Sequence, residues 1–123
     1  MAAKSKILVI DDDTSTLEII FLVLHNAGFE VTIDSKADLG FLDKGDLPDL
    51  IIIDNNLGGR SGGEICKQLK ENIYVKHIPV ILTSAMEDLE QLALEATADD
   101  FLSKPFDMKS LFEKIALHSP QNN

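Results

Sequence analysis

Along the chain, short apolar runs alternate with longer stretches in which apolar residues recur at every third or fourth position. The runs are Ile7 to Ile10, Val31 to Ile33, Leu50 to Ile53, Val80 to Leu82 and a weaker Phe101-Leu102. They are rich in Ile and Val, bounded by polar residues and free of internal polar alternation. Such runs predict strands covered on both faces, as in a parallel sheet. The stretches between them predict helices. Leu17, Ile20, Phe21 and Leu24 fall at i, i+3, i+4 and i+7, and Gly28 stands where that helix should stop. Ile65 and Leu69 repeat the spacing after Ser61, a fitting N-cap, with Ile73 a candidate to extend it. Leu89, Leu92, Ala93 and Ala96 make a third stripe. Met108, Leu111, Phe112 and Ile115 make a fourth, opened by Asp107 as its cap. Ser35 to Leu42 reads as a weaker helix, interrupted by Gly40.

Strand and helix thus alternate five times, which implies right-handed crossovers and helices on both sides of one sheet. The predicted fold class is α/β, a five-stranded, doubly wound parallel sheet. In such sheets ligands bind outside the carboxyl ends of the strands, where the strand order reverses. The residues just after the runs read Asp11-Asp12-Asp13, Asp54-Asn55-Asn56, Thr83-Ser84 and Ser103-Lys104-Pro105. Carboxylates, a hydroxyl and a lysine are therefore expected on one rim. Asp13 is better placed to cap the first helix than to join that group.

A chain of 123 residues holds one domain, expected to span 1–123 with a core from about 6 to 117 and a disordered tail over 119–123. With 45% hydrophobic residues it can bury a core. Its formal charge of −10 repels phosphate backbones and anionic lipid, which argues against direct nucleic-acid or membrane-surface binding. The same charge suits a cation, or a partner with a basic face. A single cysteine, Cys66, excludes an internal disulfide framework and fits a reducing compartment. Six residues lead into only four apolar ones before the aspartates, too few for a signal peptide or a membrane span. A soluble, cytoplasmic domain is expected.

Crowded carboxylates repel one another, and a hard divalent ion with oxygen ligands relieves that repulsion. Mg²⁺ needs only one or two carboxylates besides water and substrate phosphate. Lysine supplies a compact charge for phosphate oxygens, and Thr83 a hydroxyl donor. An ionised aspartate among them can act as a nucleophile towards phosphorus.

At these positions the chain resembles the receiver domain of two-component response regulators, from about Lys6 to Leu117. The likeness rests on Ile7-Leu8-Val9-Ile10-Asp11-Asp12 and on the Pro48-Asp49 to Asp54 strand. It continues in Ile78-Pro79 to Thr83 and in Ala98-Asp99-Asp100-Phe101-Leu102-Ser103-Lys104-Pro105-Phe106. The resemblance implies a flavodoxin-like receiver fold with Asp54 as the phosphoacceptor. It implies Mg²⁺ held by Asp12, Asp54 and the backbone carbonyl of Asn56, with Asp11 assisting. Thr83 and Lys104 are implied as the contacts to the phosphoryl group, Phe101 as the switch aromatic, and Lys104-Pro105 as a cis bond. The implied partner is a sensor histidine kinase or phosphotransfer protein. On this view the chain is a self-modifying switch rather than an enzyme with free-substrate turnover, and either stands alone or belongs to a longer regulator.

The chain departs from the family pattern in places. Leu57-Gly58 stands where Met-Pro is usual, so Gly58-Gly59 should loosen that loop. Ser61 replaces a usual aspartate and Thr97 a usual glycine. Ser84 is larger than the common Ala or Gly and could narrow phosphate access, and Phe101 lacks the hydroxyl of the commoner Tyr. Two other readings compete. Val9 to Thr14 resembles the D-x-D signature of haloacid-dehalogenase-like phosphatases, which would make Asp11 the nucleophile. Ser15 and the placing of Asp99-Asp100 fit that signature poorly. The other is a phosphorylation-independent interaction module, which should have lost Asp54, Thr83 or Lys104; all are present. His25, His77 and His118 show no metal-ligand spacing.

Overall fold

A computed structural model describes residues 4–119, apart from the side chains of residues 43 and 44. The elements run β1 (Lys6–Ile10), α1 (Thr14–Asn26), β2 (Glu30–Asp34), α2 (Phe41–Lys44), β3 (Leu50–Asp54), α3 (Gly62–Glu71), β4 (Val80–Ser84), α4 (Leu89–Ala96), β5 (Asp100–Ser103) and α5 (Met108–His118). The strands form one parallel sheet in the order β2-β1-β3-β4-β5. The predicted doubly wound α/β architecture is observed. The strand order reverses between β1 and β3, which places Asp11 and Asp54 side by side at the sheet's carboxyl edge.

The apolar runs hide a period of two, because successive side chains leave opposite faces of a strand. Leu8, Ile10, Ile51, Ile53, Val80 and Leu82 pack with Ile65, Cys66 and Leu69 of α3 and with Leu89, Ala93 and Ala96 of α4. Ile7, Val9, Leu50, Ile52 and Ile81 pack on the other face with Leu17, Ile20 and Leu24 of α1 and Leu111 and Ile115 of α5. Two cores therefore clamp β1, β3 and β4, and each fully buried Leu or Ile contributes about 1.5–3 kcal/mol. Asp13, Ser61 and Asp107 cap α1, α3 and α5, accepting from the backbone N–H of Ser15, Glu64 and Ser110. Gly28 follows the end of α1 with a φ of +99°.

Three expectations are corrected. β2 is an edge strand rather than one covered on both faces, and Ile33 remains 41% exposed. The helix expected over Ser35 to Leu42 is a single turn starting at Phe41. The Asp34 carboxylate accepts from the backbone N–H of Lys36, Ala37 and Leu39, while Ala37 and Leu39 adopt left-handed φ. A side chain that captures backbone donors in this way competes with the helix. α3 stops at Glu71, and Ile73 lies beyond its Asn72 cap, exposed. Ser119 is the only residue of the expected tail among those described, and residues 120–123 lie outside them.

Candidate functional site

The site is built from strand ends. Asp54 is the last residue of β3, and its carboxylate is held in place by neighbours on three sides. The Thr83 hydroxyl, one strand away in register, donates to Asp54 Oδ1 at 3.2 Å. Lys104 Nζ lies 3.0 Å from the same oxygen. The backbone N–H of Asn56 donates to Oδ2 at 3.1 Å. Asp11 is bracketed similarly: Lys104 Nζ reaches its Oδ2 at 2.8 Å and the Asp13 N–H its Oδ1 at 3.0 Å. Lys104 itself is presented from beyond β5, with its N–H bonded to the Ser84 carbonyl and a cis bond to Pro105, as the resemblance implied.

Asp11, Asp54 and Thr83 are buried, whereas Asp12 is exposed beside them. Burial works against the charge on Lys104, but its hydrogen bonds to the Asp11 and Asp54 carboxylates outweigh it and hold the ammonium above its ordinary value. Carboxylate oxygens of Asp11, Asp12 and Asp54 lie within 4.8 Å of one another. Three carboxylates against one ammonium leave two negative charges, which a divalent cation would balance. All the donors are oxygen, so the residues fit a hard ion such as Mg²⁺. They open onto a cavity of about 630 Å³ whose lining also includes Asn56, Arg60 and Ser84.

The loop after Asp54 is a small hairpin. Asn56 and Ser61 form an antiparallel bridge, and the Leu57 N–H donates to the Arg60 carbonyl. Gly58 and Gly59, between them, both have positive φ, at +60° and +103°. Two such residues match the twist of a two-residue hairpin turn, which gives this glycine pair a defined conformational role. Gly62 is more constrained still: a Cβ there would stand 2.0 Å from the Asp54 carbonyl oxygen. Only glycine lets α3 start so close to the end of β3.

Asp11, Asp12, Asp54, Asn56, Thr83 and Lys104 lie together at this rim, and Phe101 does not. That ring is partly buried against α4 and the first core, with Lys114 Nζ 5.5 Å from its centroid. Ser84 lines the cavity with its hydroxyl oxygen accepting from the Met86 N–H. Thr97 takes a left-handed φ of +56°, the conformation for which the family's usual glycine is suited. Cys66 is inert in this setting, since burial pushes its thiol up to about 11.

Sequence reading missed Gly62 and Arg60, and it placed Asn55 at the rim without its role. The Asn55 side-chain oxygen accepts from Ser61 Oγ and the Gly63 N–H, and so joins the loop to α3. It also missed the partners of His118, whose Nε2 lies 2.7 Å from Asp100. These contacts run between a loop and its neighbours or between a helix and a strand, and no periodicity signals them.

The chain is similar to known proteins over nearly its whole length. The heme response regulator HssR of Staphylococcus saprophyticus is 36% identical over 110 residues, covering 88% of this chain and 48% of HssR. The DNA-binding response regulator MtrA of Mycobacterium tuberculosis is 30% identical over 123 residues, covering 98% of this chain and 53% of MtrA. The chain thus spans about half the length of these curated relatives. A response regulator receiver domain protein from Clostridium thermocellum superposes with a TM-score of 0.81 at 30% identity, covering 93% of each chain. No helix among the described residues is long and apolar enough to cross a membrane. Residues 7–116 match the response regulator receiver domain, and the chain belongs to that family.

Proposed function

We propose that this receiver domain takes a phosphoryl group onto Asp54 from the phosphohistidine of a sensor histidine kinase or phosphotransfer protein in the cytoplasm. One Asp54 carboxylate oxygen attacks phosphorus, the P–N bond breaks, and the imidazole leaves with the bond's electron pair and takes up a proton. The single observation that carries this reading is the convergence of Lys104 and Thr83 on one oxygen of Asp54, at 3.0 and 3.2 Å. Two donors aimed at one carboxylate oxygen are suited to the extra negative charge that arrives with phosphate. Asp11, Asp12, Asp54 and the backbone carbonyl of Asn56 would hold Mg²⁺. When bound, the ion supplies charge neutralisation at the transferring group.

Asp54 takes the Thr83 hydroxyl as well as Lys104, whereas Asp11 takes Lys104 and the Asp13 backbone N–H, which supports an assisting role for Asp11 rather than that of nucleophile. Water later hydrolyses the acyl phosphate, so the domain modifies only itself. Thr83 moving towards the phosphate would shift a surface equilibrium around Phe101, which pairs with Leu82, the residue before Thr83, on the neighbouring strand.

Incubation with acetyl phosphate and Mg²⁺, followed by intact-mass measurement, tests the reading. The expected result is a metal-dependent phosphoryl adduct on the wild type that is absent from Asp54→Asn. An adduct that persists in Asp54→Asn and disappears in Asp11→Asn would transfer the nucleophile to Asp11. No adduct from any donor would leave a module that works by contact alone.

A further inference from the structure

Arg60 is the chain's only arginine, and it sits in the hairpin that follows Asp54. Its Nη1 donates to the Ala37 carbonyl at 2.7 Å, across the gap between the β3–α3 and β2–α2 loops. The far side of this contact is firmly anchored. Ala37 is 2% exposed, its methyl belongs to the first core, and its N–H is bonded to Asp34 at 2.9 Å. On the near side the hairpin carries Asn56, and its turn abuts the acidic group. A Cβ on Gly58 would lie 3.4 Å from Asp12 Oδ2. The guanidinium therefore ties the loop that borders the carboxylates to a fixed point in the core.

We propose that Arg60 is a positioning residue, which holds the 55–61 hairpin so that the Asn56 carbonyl and the Asp12 carboxylate face one metal ion. The proposal rests on the metal reading above. Leu57 anchors one arm of the hairpin in the core; without the tie on the other arm, two glycines leave the turn free to move away from Asp12, and the ligand set must be ordered again each time the ion binds. The alternative is that Arg60 acts only through its charge, as a second cation lining the cavity. The two predict opposite signs. A cation beside a metal site repels the metal, so removing a mere charge tightens Mg²⁺ binding. Removing a positioning group weakens it.

The experiment is calorimetric titration of the whole chain with Mg²⁺ alone, together with amide hydrogen exchange on the metal-free protein, for wild type and Arg60→Ala. Arg60 is exposed, so its truncation opens no cavity in the core. The expected result is about tenfold weaker Mg²⁺ binding, the low end for groups that orient metal ligands. Exchange should become faster at the Leu57 and Gly62 amides, which close the hairpin, and stay unchanged in β4. Arg60→Lys, whose ammonium can still donate to the Ala37 carbonyl, should recover part of both losses. Unchanged or tighter Mg²⁺ binding in Arg60→Ala would overturn the proposal, whatever the exchange shows. A wild type that binds no Mg²⁺ would overturn it together with the metal site beneath it, so the two failures remain distinct.

Discussion

β5 and the residue following it contribute to two carboxylate clusters, and they are balanced in opposite senses. In the pocket, Lys104 is shared between the buried Asp11 and Asp54 with Asp12 alongside, so acids outnumber cations. At the start of β5, Asp100 is shared between Lys114 at 2.7 Å and His118 at 2.7 Å, both from α5, and also accepts from the Phe101 N–H. One acid there has a surplus of donors. The Asp100 cluster is closed and self-sufficient, and it clips α5 to the sheet beside Phe101. The pocket cluster opens onto a cavity and lacks positive charge. A surplus of donors makes a structural contact, whereas a shortage beside open space makes a site.

The largest effect should come from worsening the shortage. Lys104→Ala leaves Asp11 and Asp54 buried without their ammonium, and breaking a buried pair from one side costs about 3 kcal/mol. Metal-free Lys104→Ala is therefore expected to melt well below the wild type. Millimolar Mg²⁺ should raise its melting temperature by more than it raises that of the wild type, because the ion then supplies the missing charge. Phosphoryl uptake should fall about a hundredfold with the loss of one charged donor. Equal metal-free melting temperatures in a thermal scan would mean that the pocket is not short of positive charge.

The balanced cluster should respond more weakly and with a different pH signature. Burial raises the pKa of Asp100, but hydrogen bonds from Lys114 and His118 outweigh it and hold the carboxyl below the ordinary carboxylate value. A depressed native pKa means that the unfolded chain binds the proton more readily. The stabilisation is thus fully present above the unfolded value near 3.8 and is lost as pH falls through the lower native value. Asp100→Asn should cost about 1 kcal/mol at neutral pH, after discounting for solvent around a half-open pair. The difference from wild type should shrink progressively as the pH falls below 3.8. A difference that held constant between neutral pH and pH 3 in urea titrations would show that Asp100 acts through packing rather than charge.

The two clusters also differ in how far the sequence disclosed them. Asp11, Asp54, Thr83 and Lys104 follow apolar runs, and a parallel sheet collects the residues at its carboxyl edge whatever lies between. The strand pattern alone therefore brought four residues spread over most of the chain to one rim. Asp100, Lys114 and His118 are joined by contacts 14 and 18 residues apart that depend on how α5 returns along β5. His118 accordingly gives no signal in the sequence beyond its lack of metal-ligand spacing. The β2–α2 segment failed for a related reason. Helical spacing was present, but the Asp34 carboxylate outcompeted it for the local N–H groups. Arg60 carries no pattern at all, since its partner is a backbone carbonyl. Position relative to the sheet was legible; pairing between loops was not.

The smallest effect has the opposite sign, and it separates the clusters most cleanly. Asp12 is exposed, yet its carboxylate oxygen lies within 4.8 Å of those of Asp11 and Asp54. Without metal its charge only adds repulsion, so Asp12→Asn should raise the metal-free melting temperature by about 2 °C. Asp100→Asn, which removes a carboxylate with surplus donors, should lower it. Adding Mg²⁺ should then reverse the order in the pocket. The wild type gains stability through a ligand that Asp12→Asn has lost, while Asp100→Asn keeps the same deficit with or without the ion. Melting curves of the three proteins at zero and millimolar Mg²⁺ would show this crossing. If Asp12→Asn destabilised the metal-free protein, the crowded carboxylates would be a structural cluster like the one at Asp100, and the distinction drawn between a clip and a site would fail.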